Sequence, residues 1–180
     1  NLDYGGGKGR RSQLDIWKRA DLPRDGKAPV LFQVHGGGWV IGNKEQQAGP
    51  LMAHLAERGW ICATTNYPLS PRATWPEHIV EVKPALAWVK QNIADHGGDP
   101  DFVVITGGSA GGHLCSLAAL SANDPELQPG FEDAYTSVVA AVPFYGVYDL
   151  TIRDGTGNAV MEDFLGRLVL EAPMAERRDL

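Results

Sequence analysis

The chain has 180 residues, of which 43% are hydrophobic and 21% charged, and it carries a formal net charge of −6. That length suffices for one domain with a real core, and an acidic balance without any basic run argues against a nucleic-acid surface. The longest apolar runs, such as residues 138–142, are far too short to span a bilayer. The two cysteines, Cys62 and Cys115, lack metal-type spacing and cannot form a disulfide framework, which leaves them as buried thiols.

In chain order, residues 13–18 (QLDIWK) partly alternate and predict an edge strand. After Pro29 comes VLFQV, a short apolar run ending at His35, the pattern of a strand buried on both faces. The glycine-rich HGGGWVIG follows at once. Leu51, Met52, Leu55 and Ala56 then repeat with helical spacing, and Gly59 stands where a C-terminal cap belongs. Residues 60–66 (WICATTN) predict the next buried strand. Residues 67–76 carry three prolines and predict an ordered loop.

Residues 77–95 have helical periodicity through Ile79, Val82, Leu86, Val89 and Ile93, with Pro84 inside. Proline removes a donor and clashes with the preceding turn, so a kink or a two-piece helix is expected. A turn at 97–100 ends it. FVVIT at 102–106 is a third buried strand, GGSAGG follows, and residues 113–122 are helical. Residues 137–146 (SVVAAVPFYG) read as a fourth buried strand, and the remainder to Leu180 as loosely helical. Strands alternating with helices predict an α/β fold with a mainly parallel sheet and helices on both faces. Sites in such sheets gather at the carboxyl ends of strands, where both glycine-rich loops lie.

Phosphate-binding readings fail on single positions. Gly37 and Gly42 have P-loop spacing, but Asn43 stands where the lysine belongs, and Ser109 occupies the second glycine of a dinucleotide fingerprint. Residues 107–111 (Gly-Gly-Ser-Ala-Gly) instead fit G-x-S-x-G. A serine on a sharp strand-to-helix turn needs small residues two before and two after it. The helix beginning there aims its N–H groups and positive end at the site, which favours the negative charge of acyl transfer. His35-Gly36-Gly37-Gly38 matches the HGGG partner loop, whose glycines let N–H groups approach a substrate oxygen. His35 itself reads as a structural histidine bonded to its own loop.

HGGGW at 35–39, NYPLSPRATWP at 66–76 and GGSAGGHL at 107–114 together resemble the α/β-hydrolases of the hormone-sensitive lipase type, including bacterial carboxylesterases. The resemblance runs from about residue 13 to Tyr148. It departs at Pro68 and Arg72, where that family has arginine and glutamate, and at Gly108, where an acid often precedes the serine; these departures blur the subfamily. Related formamidases and feruloyl-type esterases also use glycine-rich elbows. The resemblance implies an α/β-hydrolase fold with Ser109 as nucleophile and the N–H groups of Gly37, Gly38 and Ala110 as oxyanion hole, each donor contributing roughly 2.7–4 kcal/mol. His35, Gly36, Gly107 and Gly111 would support the two motifs. Trp39 and Tyr145 would line the pocket, with core packing as the alternative for both. The activity implied is a serine carboxylester hydrolase acting on small-molecule esters of short to medium acyl chain through an acyl-enzyme, without metal or organic cofactor. The alternatives are an amide or formamide hydrolase of the same fold and a ligand-binding homologue without the triad histidine.

The triad order in this fold is serine, acid, histidine. Of His35, His54, His78, His96 and His113, only His113 follows Ser109, with no acid between them. At i+4 on the helix that Ser109 opens, it would project from the helix flank and reads as a packing residue. His54, His78 and His96 read as surface residues. The triad acid and histidine are therefore expected beyond residue 180. Residues 1–148 would be the N-terminal part of the core and 149–180 the start of a cap. The chain, which opens on Asn1, would be a fragment lacking the C-terminal part of the fold, inactive alone.

Overall fold

The computed structural model describes residues 1–5, 7–148 and 163–171. Six strands, β1 (Leu2–Asp3), β2 (Gln13–Trp17), β3 (Ala28–Val34), β4 (Ile61–Thr65), β5 (Gly98–Gly108) and β6 (Ala140–Phe144), form one sheet in the order β1-β2-β4-β3-β5-β6. β1 and β2 pair antiparallel; β4, β3, β5 and β6 run parallel. Each parallel step needs a crossover. These are supplied by α1 (Gly49–Glu57), α2 (Glu77–Asn92) and α3 (Ala110–Leu120). The α/β fold and mainly parallel sheet are as the alternating pattern predicts.

Successive side chains of a strand face opposite sides, and the core divides accordingly. Val30, Phe32 and Val34 of β3 join the main cluster with α2 and α3, while Leu31 packs with Met52 of α1 and Cys62 of β4. Helices thus flank both faces. Buried Ile79, Val82, Leu86 and Val89 form the inward stripe of α2. Lys83, on the same side, is fully buried and donates from Nζ to the Ser121 carbonyl at 2.6 Å, at the end of α3. A cation there matches the negative end of the helix dipole.

Several expectations change. β2 is not an edge strand, because the two-residue β1 lies outside it. Pro84 sits within one uninterrupted helix rather than dividing it in two. β5 begins at Gly98, not at residue 102. Gly98 opposes Ala28 and Val103 opposes Val30, so residues between them bulge out of register where a turn was expected. α3 begins directly after Ser109, three residues before the expected start. β6 forms, but all five of its residues are exposed, so it is not a buried strand. It is the last strand of the sheet, with β5 on one side and no described strand on the other.

The register fixes the site. Val34 at the end of β3 lies opposite Gly107 near the end of β5, so residues 35–38 and Ser109 leave adjacent strands side by side. β3 leads to β4 on one side and borders β5 on the other. That is the reversal of strand order at which α/β sheets place their crevice. The cap expected from 149 onward falls mostly outside the described residues. Within residues 163–171, a wide π-type turn at Leu165–Leu170 buries Leu165, Val169 and Leu170 in the main core, and the Val169 carbonyl accepts from Trp75 N–H at 2.8 Å.

Candidate active site

Ser109 is the single residue between β5 and α3, and its backbone sits at φ 55°, ψ −122°. A non-glycine residue rarely adopts this conformation, and the surroundings must impose it. Ser109 N–H donates to the Phe144 carbonyl on β6 at 3.0 Å, and its own carbonyl accepts from His113 N–H at 3.0 Å. Gly107 and Gly111 serve closeness rather than positive φ. A Cβ on Gly107 would strike the Gly111 and Val34 carbonyls, and one on Gly111 would strike those of Val34 and His35. The elbow and the HGGG loop are thus in backbone contact.

The HGGG loop is pinned one peptide plane at a time. A trans peptide is rigid, with C=O and N–H pointing opposite ways. In the 35–36 plane, the His35 carbonyl accepts from the Tyr67 hydroxyl at 3.0 Å and Gly36 N–H donates to Gln47 Oε1 at 2.7 Å. In the 36–37 plane, the Gly36 carbonyl is held by His35 Nδ1 at 2.8 Å, and Gly37 N–H has no acceptor among the described residues. In the 37–38 plane, the Gly37 carbonyl accepts from Val40 N–H at 3.1 Å and Ile41 N–H at 3.0 Å, and Gly38 N–H has no acceptor among the described residues. In the 109–110 plane, the bond to His113 N–H orients the Ser109 carbonyl, and Ala110 N–H at the start of α3 has no acceptor among the described residues. The three donors singled out from the sequence therefore stand on planes whose carbonyl ends are anchored.

Gly37, Gly108 and Ser109 line a cleft of about 460 Å³, together with Gln33, Gln47, Phe144 and Tyr145. Its size suits a small ligand. Among the described residues, no acidic, histidine, lysine or arginine side chain lines it. Its local field comes from the α3 N-terminus and the unpaired N–H groups. Tyr145 is on the cleft wall, 81% exposed. Trp39 is not: only 5% exposed, it packs edge-on against His113 with ring centroids 5.4 Å apart. Among the described residues, no three His, Cys, Asp or Glu side chains are placed to share a metal ion.

No histidine serves Ser109, whose hydroxyl takes no hydrogen bond among the described residues. His35 stacks on Tyr67 at 4.3 Å, and burial pushes its pKa down to about 4. Because Nδ1 faces a carbonyl, the neutral ring carries its proton there, and Nε2 is buried without a partner. His113 lies between Trp39 and Trp75, with Nδ1 unpartnered and its pKa lowered by burial. His78 is not a surface residue. It is 1% exposed, beside the Ser70 hydroxyl at 3.1 Å, and burial, then the nearby His113, push it down to about 4. The loop at 67–76 folds over the start of α2 and covers it. His54 is exposed as expected, while His96 is half-buried against Trp88.

The sequence reading missed Gln47, Tyr67, Arg11 and Phe164. Arg11 donates to the Gly42 carbonyl at 2.9 Å, tying the far end of the HGGG loop to the segment before β2. A Cβ on Gly38 would sit 3.7 Å from the Phe164 ring. Tyr67 stands within the proline-rich block quoted for the resemblance; the others lie in no motif.

The BD-FAE family model matches residues 14–180. The chain is 62% identical over 165 residues to "Probable carboxylic ester hydrolase LipM" of Mycobacterium tuberculosis, covering 92% of this chain and 38% of that protein. It is 59% identical over 172 residues to "Esterase LipQ" of the same organism, covering 96% and 40%. Among solved structures, esterase 2 of Thermogutta terrifontis phosphonylated by sarin superposes with TM-score 0.74 at 28% identity, covering 89% of this chain and 59% of that one. The butyrate-bound form of that esterase gives TM-score 0.69 at 30% identity, covering 89% and 58%. The chain thus spans 38–40% of the length of these curated relatives.

Proposed function

The chain belongs to the BD-FAE family of α/β-hydrolase esterases, and from that premise we propose that its protein is a serine carboxylic ester hydrolase acting on short- to medium-chain acyl esters. Ser109 Oγ attacks the ester carbonyl carbon, the carbonyl π electrons move to oxygen, and the oxyanion is received by the N–H groups of Gly37, Gly38 and Ala110. Collapse expels the alcohol and leaves an acyl-serine, which water hydrolyses through the same kind of intermediate. The observation carrying this reading is a serine in a forced backbone conformation on the wall of a cleft that Gly37 also lines, with the N–H groups of Gly37, Gly38 and Ala110 all without an acceptor among the described residues. The butyrate-bound relative supports the acyl-chain range.

A proton acceptor for Ser109 and its orienting acid are required, and every described histidine is engaged elsewhere or remote from the cleft lining. In this reading both come from outside these residues, and the 180-residue chain alone is inactive. Phe164, 3.7 Å from where a Gly38 Cβ would stand, brings residues from the expected cap, 149–180, against the HGGG loop. The test is hydrolysis of p-nitrophenyl acetate and butyrate by the full-length protein and its Ser109→Ala variant. Loss of at least about a thousandfold in kcat is expected. Equal turnover by both would remove Ser109 from the mechanism.

A further inference from the structure

We infer that Gln47 is a positioning residue of the HGGG loop, acting from the wall of the substrate cleft. This rests on the ester-hydrolase reading above. Gln47 lies in the turn before α1, where Ala48 reaches φ 60°, outside both motifs. Its Oε1 accepts from Gly36 N–H at 2.7 Å, and its side chain lines the cleft that contains Ser109.

The geometry makes this contact more than packing. Gly36 and Gly37 are consecutive glycines, so side-chain sterics do little to resist rotation of the peptide between them. Hydrogen bonds must set its direction. His35 Nδ1 holds the Gly36 carbonyl, and the Tyr67 hydroxyl holds the His35 carbonyl. Gln47 holds the remaining polar group, Gly36 N–H, so the 35–36 plane and, next to it, the 36–37 plane that carries the Gly37 N–H are both fixed. Gly36 is buried and has no room to adapt, since a Cβ there would strike the Gly108 carbonyl. Without Gln47, Gly36 N–H must find another acceptor, and turning the 35–36 plane to reach one strains the adjoining 36–37 plane through Gly36 φ and ψ, and with it the donor at Gly37. The Gln47 amide nitrogen meanwhile has no acceptor among the described residues. One planar carboxamide therefore anchors the loop through oxygen and offers a donor to the cleft through nitrogen.

The test uses the full-length enzyme with p-nitrophenyl butyrate. Gln47→Met keeps the side chain's length but removes the strong acceptor. Its kcat is expected to fall at least about tenfold, with KM within about threefold of wild type and a cooperative melting transition lowered by no more than a few degrees. Gln47→Glu restores an acceptor but places a carboxyl in the cleft, where its ionised form opposes the oxyanion. The ratio of its kcat to wild type is expected to fall as pH rises from 5 to 8, starting above that of Gln47→Met, whose ratio stays flat. Wild-type kcat in Gln47→Met, or equal loss in both variants at every pH, would overturn the inference. An active Ser109→Ala variant would instead defeat the reading on which it rests.

Discussion

Replacing Ser109 by glycine should stabilise the protein relative to replacing it by alanine. Both variants lack the hydroxyl, so their difference isolates the backbone. At φ 55°, ψ −122°, the Cβ of residue 109 is held in a region that only glycine occupies freely. Such strain costs about 1–3 kcal/mol. Alanine keeps it, whereas glycine releases it and gives back about 0.5–1 kcal/mol through the greater freedom of its unfolded chain. The net expectation is that Ser109→Gly exceeds Ser109→Ala by about 0.5–2 kcal/mol. Urea denaturation of the two full-length variants at pH 7.5 measures this as a midpoint shift at constant slope. A Ser109→Gly midpoint equal to or below that of Ser109→Ala would refute the argument. It would mean that neighbouring contacts, such as the bond from Ser109 N–H to Phe144, define the turn without cost to the side chain.

Gly111→Ala drives a methyl group into the Val34 and His35 carbonyls, so the elbow must move away from the HGGG loop; esterase activity is expected to fall at least about a hundredfold with a lower melting temperature, and wild-type turnover would contradict the close approach. His35 and His78 are held at about 4 against an ordinary 6.5, mainly by burial, so the unfolded chain binds protons that the fold does not between those values. Stability is therefore retained above pH 6.5 and lost as pH falls toward 4, by up to roughly 3 kcal/mol per group; a urea midpoint unchanged from pH 7 to 4.5 would contradict it. The 180-residue polypeptide is expected to self-associate through the exposed β6 edge, which carries Val142 and Phe144 about half exposed; light scattering should show this to decrease in Val142→Lys, and a monomer at 50 μM would contradict it.

What the sequence made legible followed from local constraints. HGGG and G-x-S-x-G are readable because backbone contact at Gly36, Gly107 and Gly111 excludes side chains, and that exclusion leaves a mark in sequence. β3 and β4 were readable because strands buried on both faces are continuously apolar. The same rule misplaced β6. Its composition is that of a covered strand, but composition does not report whether a cover is present. His78 was misread because helical periodicity accounts for the sheet-facing stripe of α2, while the cover here comes from the 67–76 loop on another side. Gln47 had no signal at all, since its partner is a backbone N–H eleven residues away.

The histidines show how the fold separates a motif's neighbours from its chemistry. His113 is four residues from Ser109, yet the helix carries it between two indoles, and its backbone N–H rather than its ring serves the elbow. His35 opens the HGGG loop, yet its one polar contact holds a carbonyl in place, and protonation at Nε2 would leave that Nδ1 contact intact. A base for Ser109 must have a ring nitrogen facing the cleft and a pKa near the working pH. Burial gives His35, His78 and His113 the opposite: rings held neutral and turned into the protein. That burial keeps the loop geometry independent of pH around neutrality, which an oxyanion hole built from backbone donors requires. The titrating partner of Ser109 is therefore to be sought among groups that reach the cleft from other segments.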